Sequence, residues 1–219
     1  MDSFNNYTGL KTTSSQSLVL DAGMFVIGIN EDELKATGIA AALSTTWLWN
    51  GVTVTPTPLG LTRGGASFDP QKEERQIEFN GKRVPIMGFD RVDMFTPVLS
   101  VTLLELADFG TLKLGLGQAT ENLEASDYYS VTPNIDITTS DYIPNVALIT
   151  RTSEDGQVKP AVYVVRNAKV IENSTLNFED PGEAAMEVSF RGATTADAPF
   201  EVPCTIYVPK QNLGSGSGS

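Results

Sequence analysis

Val146-Ala147-Leu148-Ile149-Thr150-Arg151-Thr152-Ser153-Glu154-Asp155-Gly156-Gln157-Val158-Lys159-Pro160-Ala161-Val162-Tyr163-Val164-Val165-Arg166 is the stretch on which the fold class turns. Two strand-like runs, Val146 to Arg151 and Val158 to Arg166, flank Ser153-Glu154-Asp155-Gly156. Asp155 and Gly156 are residues that tolerate the positive φ a tight hairpin turn requires, so the stretch predicts two antiparallel strands. A second hairpin is predicted by Gln76-Ile77-Glu78-Phe79, then Asn80-Gly81, then Lys82-Arg83-Val84-Pro85-Ile86. There Asn80 and Gly81 suit both positions of a type I′ turn.

Outward from these hairpins, further strands are predicted at Leu18 to Ile29, Arg91 to Leu104, Ser130 to Thr139, Ala185 to Arg191 and Val202 to Val208. In Met186-Glu187-Val188-Ser189-Phe190-Arg191 apolar and polar residues alternate, as they do when one sheet face is buried and the other wet. Helix signals are few. Asn30 can cap an acidic first turn, Glu31-Asp32-Glu33, with Glu33 placed to reach back, leading into Leu34 to Leu43; a second short helix is predicted after Asp108 through Leu112 to Leu116. The expectation is a mainly β protein, an antiparallel β-sandwich or barrel with one or two short flanking helices.

The chain has 219 residues, enough for one β domain with a sizeable core and no disulfide or metal staple. One domain is expected over residues 18–213, preceded by a flexible arm, 1–17, and followed by a Gly/Ser linker, 214–219, of the kind appended for expression. Residues 44–75 read as an inserted loop or arm within it. Here Trp47-Leu48-Trp49 is followed by Val52 and Val54, and then by prolines alternating with threonines, which suit an extended segment better than a central strand. Both tryptophans of the chain lie in this segment, and Trp anchors interfaces, so it is a candidate contact surface; a core strand is the competing reading.

Composition excludes much chemistry. There is no histidine, which removes Ser-His-Asp and Cys-His catalysis and His-based metal sites, and no phosphate-binding glycine motif occurs. Acid pairs such as Glu31/Glu33, Glu73/Glu74 and Asp90/Asp93 are what 27 acids produce by chance, and Asp136, Asp141, Glu154 and Asp155 read as solvated surface rather than a calcium loop. No catalytic residue, metal or cofactor is expected. Cys204, the single cysteine, alternates with Val202, Ile206 and Val208 and reads as a core thiol. The net charge is −12, with −3 in residues 1–100 and −9 in the remainder, so the chain has little attraction for a phosphate backbone. No apolar run reaches the length of a bilayer span, and no membrane association is expected.

Leu59-Gly60-Leu61-Thr62-Arg63-Gly64-Gly65-Ala66-Ser67-Phe68, then Arg75 to Gly88, the strand Val98 to Leu106, Tyr142 to Ile149 and Pro203 to Pro209, in this order, resemble the major tail tube proteins of long-tailed bacteriophages. The resemblance implies a non-enzymatic structural subunit of the virion tail, made in the host cytoplasm. It would assemble as hexameric rings stacked into a tube through which DNA passes without specific binding, alongside tape measure, distal tail and terminator proteins. It also implies that an arm between early strands meets the neighbouring ring, which makes Trp47, Leu48, Trp49, Val52, Val54, Leu59, Leu61, Arg63 and Phe68 contact candidates and Gly64, Gly65, Asn80, Gly81, Asp155 and Gly156 turn and motif residues. The inner tube of a contractile tail or injection machine is the near alternative. A carbohydrate-binding β-sandwich with Trp47 and Trp49 as a sugar platform, and a small acidic hydrolase, are the distant ones.

Overall fold

The computed structural model describes residues 19–60, 62–78, 80, 84, 86–104, 109–117, 119–123, 129–154, 157–171, 176–177 and 184–209. In chain order the strands are β1 (Val19–Ile27), β2 (Trp47–Trp49), β3 (Val52–Val54), β4 (Thr57–Pro58), β5 (Thr62–Asp69), β6 (Lys72–Gln76), β7 (Asp90–Phe95), β8 (Val98–Leu103), β9 (Ala119–Leu123), β10 (Tyr129–Pro133), β11 (Val146–Glu154), β12 (Gln157–Val165), β13 (Lys169–Ile171), β14 (Leu176–Asn177), β15 (Ala185–Arg191) and β16 (Cys204–Tyr207). The helices are α1 (Glu31–Ala36), α2 (Ile39–Ser44) and α3 (Phe109–Gly115). All strand pairs are antiparallel, and the protein is mainly β.

Sheet I runs β16-β12-β11-β1-β4, and sheet II runs β13-β15-β8-β5 with β14 also on β15. The hairpin predicted from Val146 to Arg166 is the centre of sheet I: β11 and β12 pair from Val146↔Val165 to Glu154↔Gln157, leaving a two-residue connection. Asp155 and Gly156, which occupy it, lie outside the described residues. Sheet II buries one face by strict alternation, with Leu99, Val101 and Leu103 of β8 and Met186, Val188 and Phe190 of β15 pointing inward. The outer face carries Ser100 and Ser189, cross-strand partners whose hydroxyls bond at 2.7 Å.

Between the sheets lies the main core, where Phe25, Val146 and Leu148 of sheet I meet those side chains, and the Phe25 and Phe190 rings sit 6.4 Å apart. Each fully buried side chain of this size contributes roughly 1.5–3 kcal/mol. The opposite face of sheet I is also covered. Val26, Ala147, Ile149, Val162 and Val164 pack with Ile29 and Ala42, and Leu34, Ile39 and Leu43 of the helices close over them. Sheet I is thus dry on both sides, which explains why Val146 to Ile149 is continuously apolar where β15 alternates.

The structure corrects several expectations. Leu34 to Leu43 is not one helix: Gly38, at φ 120°, breaks it into α1 and α2, folded against each other. Asn30 caps α1 as expected, its side chain accepting the Glu33 N–H at 3.2 Å, but Glu33 does not reach back. The Asn30 N–H goes instead to the Ala42 carbonyl, and the Glu33 carboxylate accepts the Thr37 hydroxyl at 2.9 Å. Arg91 to Leu104 is not one strand either. Thr96-Pro97 divides it, because proline cannot donate to the ladder, leaving β7 outside the sheets and β8 at the centre of sheet II. Strand β10 stops at Pro133 rather than Thr139. Cys204 packs against the main core, but its face-mates Val202, Ile206 and Val208 are exposed because β16 is the rim of sheet I.

Candidate functional site

The feature that stands apart from the body is the β6–β7 ribbon. Its ladder runs from Lys72↔Phe95 to Gln76↔Asp90, continued by the Ile77 N–H to the Phe89 carbonyl. A hairpin is found here, but not in the predicted register: Gln76 pairs with Asp90, whereas a two-residue Asn80-Gly81 turn would set it opposite position 85; residues 79, 81–83 and 85 fall outside the described residues. At its base, Thr96 donates its N–H to the Gln71 carbonyl and its hydroxyl to the Gln71 side chain. Lys72 to Arg75 and Asp90 to Met94 are exposed on both faces, so nothing in the described chain covers this ribbon. Its charges pair among themselves, Arg75 with Asp93 at 2.6 Å and Lys72 with Glu74. Val92, Met94, Ile86 and Met87 leave apolar surface in water, Met87 being 96% exposed.

The contact candidates of residues 44–75 sit otherwise. Strands β2 and β3 form a small hairpin closed by Asn50 and Gly51 at φ 49° and 79°, a type I′ pair not recognised from the sequence. The hairpin folds back on its own chain. The Trp47 indole N–H donates to the Gly28 carbonyl at 2.8 Å, and the Trp49 indole N–H to the Asn167 side chain at 3.0 Å. Val54 and Val52, cross-strand partners of Trp47 and Trp49, share their face, Val54 half-buried and Val52 exposed, whereas Leu48 points to solvent from the other. With both indoles turned inward, the geometry does not present a sugar platform. Leu59 is a core residue, its N–H bonded to the Phe25 carbonyl, and β4, holding Pro58, closes the edge of sheet I, where proline is tolerated. Arg63 and Phe68 lie on β5, which is integral to sheet II; the Phe68 ring packs at a tilt against Tyr163, centroids 5.5 Å apart, and Gly64-Gly65 form a bulge opposite β8. Leu61 falls outside the described residues.

A buried polar node went unread in the sequence. Arg166, one residue past the end of β12, donates to Glu31 at the start of α1 at 2.7 and 2.5 Å, to Thr205 of β16 at 2.6 Å, and to Glu201 and the Val202 carbonyl at 3.2 and 3.1 Å. The Tyr207 hydroxyl donates to the same Glu31 carboxylate. Burial pushes the Glu31 carboxyl up, but the Arg166 and Tyr207 bonds and the Arg166 and Lys35 charges outweigh it and hold the group below its ordinary range. Burial and the Glu31 carboxylate raise the Tyr207 hydroxyl. Glu31 and Arg166 are 135 residues apart, so only the fold joins them. Asp141, read as surface, is buried and accepts the Thr138 N–H as a cap. Among the described residues no group of three or more His, Cys, Asp or Glu is placed to hold a metal ion, and no helix is long and apolar enough to cross a membrane.

The Arg166 node fixes the loop from Gly192 to Pro203 against β16. This loop and β7 enclose an open groove of about 440 Å³, lined by Val92, Met94, Pro199, Phe200 and Val202. Phe200 is 98% exposed. A lone phenylalanine in Asp197-Ala198-Pro199-Phe200-Glu201 was the available sequence signal for this surface. Nearby, β16 pairs with β12 on one side, and among the described residues no strand pairs its other edge. Known protein-family profiles do not match the chain, and no curated protein is detectably similar to it.

Proposed function

We propose that the chain is a structural subunit of a phage tail tube, assembling as stacked hexameric rings around a passage for DNA. The observation that carries this reading is the β6–β7 ribbon, exposed on both faces. A two-stranded ribbon alone in water is marginally stable, so a long one bearing exposed Val92, Met94 and Met87 is best explained by a partner that covers it. A tube also needs two different contacts per subunit, one that closes a ring and one that stacks rings. The uncharged rim strand β16, Cys204-Thr205-Ile206-Tyr207, lacks the lysine or proline that guards exposed edges and suits strand addition from a neighbour. The ribbon supplies the second contact. The charge of −12 keeps free subunits apart and gives a passage that does not hold DNA.

Negative-stain microscopy of the concentrated protein tests this directly. Hollow tubes of regular ring spacing are expected, and replacing residues 77–89 by a short Gly-containing turn should abolish them while leaving the subunit folded. Sedimentation as a monomer at millimolar concentration refutes the proposal.

A further inference from the structure

We infer that the groove at the root of the β6–β7 ribbon receives the tip of the same ribbon from a second copy of the chain. This rests on the tube-subunit reading and names the receptor for its arm. The groove is lined by the apolar side chains of Val92, Met94, Pro199, Phe200 and Val202 and by two acids, Asp93 and Glu201. Both acids have arginine partners, Arg75 and Arg166, but the carboxylates themselves are open to solvent, Asp93 at 42% and Glu201 at 62%, where such pairs are worth little and another cation can compete.

Charge selects the occupant. Residues 72–95 hold five basic and five acidic residues and are neutral, whereas the rest of the chain holds 10 basic and 22 acidic. Two bodies therefore repel each other, and the ribbon is the part of one copy that approaches another without that penalty. Within the ribbon the tip, residues 77–89, is the basic end: Lys82 and Arg83 against Glu78 alone, set among apolar residues that include Ile86, Met87 and Phe89. A basic, apolar segment complements an acid-flanked apolar groove.

Geometry places this contact between copies. The ladder carries Gln76 about 13 Å beyond Lys72, away from the root, and the Ile77 N–H bond to the Phe89 carbonyl extends it further. Met87 and Phe200 are almost wholly exposed, so neither is buried by a contact within its own chain. Each copy offers one tip and one groove at different places. In a tube the contact runs head-to-tail from copy to copy, whereas a reciprocal exchange of tips would close a two-fold dimer and cross-link doubly substituted subunits only in pairs.

The test uses single cysteines in a Cys204→Ser background. Met87→Cys and Phe200→Cys subunits, assembled together and treated with a mild oxidant, should give a disulfide-linked pair containing one of each, and the doubly substituted subunit should give a ladder of linked multimers. A bridge confined to single subunits, or no bridge although tubes form, overturns the inference and leaves the tube reading standing. In parallel, Phe200→Asp should cut tube yield at least tenfold with an unchanged melting temperature; tube yield equal to the unsubstituted protein also overturns it. Absence of tubes from the unsubstituted protein is the distinct result that removes the tube reading itself.

Discussion

Replacing Glu31 by Gln preserves shape and removes one charge from a node whose geometry is known in detail. Glu31 is 7% exposed and receives two bonds from Arg166, at 2.7 and 2.5 Å, and one from Tyr207. Breaking a buried ion pair by neutralising one partner costs about 3–5 kcal/mol, and the remaining solvent access of Arg166 argues for the lower end, about 3 kcal/mol. For a domain of this size that corresponds to a melting temperature lower by roughly 6–12 °C at pH 7. The pH dependence is the sharper measurement. Because folding holds the Glu31 pKa below its ordinary value of 4.5, the charge stabilises the fold above that pH, and the benefit is lost as pH falls through the folded-state value. Thermal unfolding followed by circular dichroism from pH 7 to pH 3 should therefore show the two proteins far apart at neutral pH and converging below about 4.5. A gap that stays constant across the range, or no gap at pH 7, would refute the assignment of Glu31 as the ionised centre of the node.

Trp47→Ala and Trp49→Ala should each destabilise the isolated subunit by about 2–3 kcal/mol in denaturant titrations, because both indoles are anchored on its own backbone or side chains, while Leu48→Ala should stay within about 0.5 kcal/mol. An unchanged midpoint for the tryptophan variants would mean that the β2–β3 hairpin is not docked in solution. Phe190→Ala, which opens a cavity between the sheets, should cost about 3–5 kcal/mol by the same measurement.

What was legible in the sequence was whatever depends on near neighbours. The Asp155-Gly156 connection, the alternation of Met186 to Arg191 and the Asn30 cap each require only a few adjacent residues, and the structure places strands or a helix there. Local pattern does not reach what a distant partner decides. Proline and threonine content disfavours a central strand for Trp47 to Pro58, and it is Gly28 and Asn167 that hold its indoles and β1 that supplies an edge for Thr57 and Pro58. Conversely, Lys72 to Phe95 has the pattern of an ordinary hairpin and strand, and nothing local reveals that β6 and β7 leave the two main sheets at Gln71 and Thr96. The Arg166 node was invisible for the same reason.

The helix pair on one side of sheet I and sheet II on the other leave one end of its middle strands, from Val146 to Ile149 and from Val162 to Val165, with almost no surface of its own. No other molecule can meet Val146, Val164 or Phe25. Substitutions at such positions govern how long a subunit survives, whereas its social behaviour is delegated to the perimeter, to a bare strand margin, an outreaching ribbon and the recess at that ribbon's foot. Divergence could therefore redraw the outline of this protein freely while its interior stays almost still.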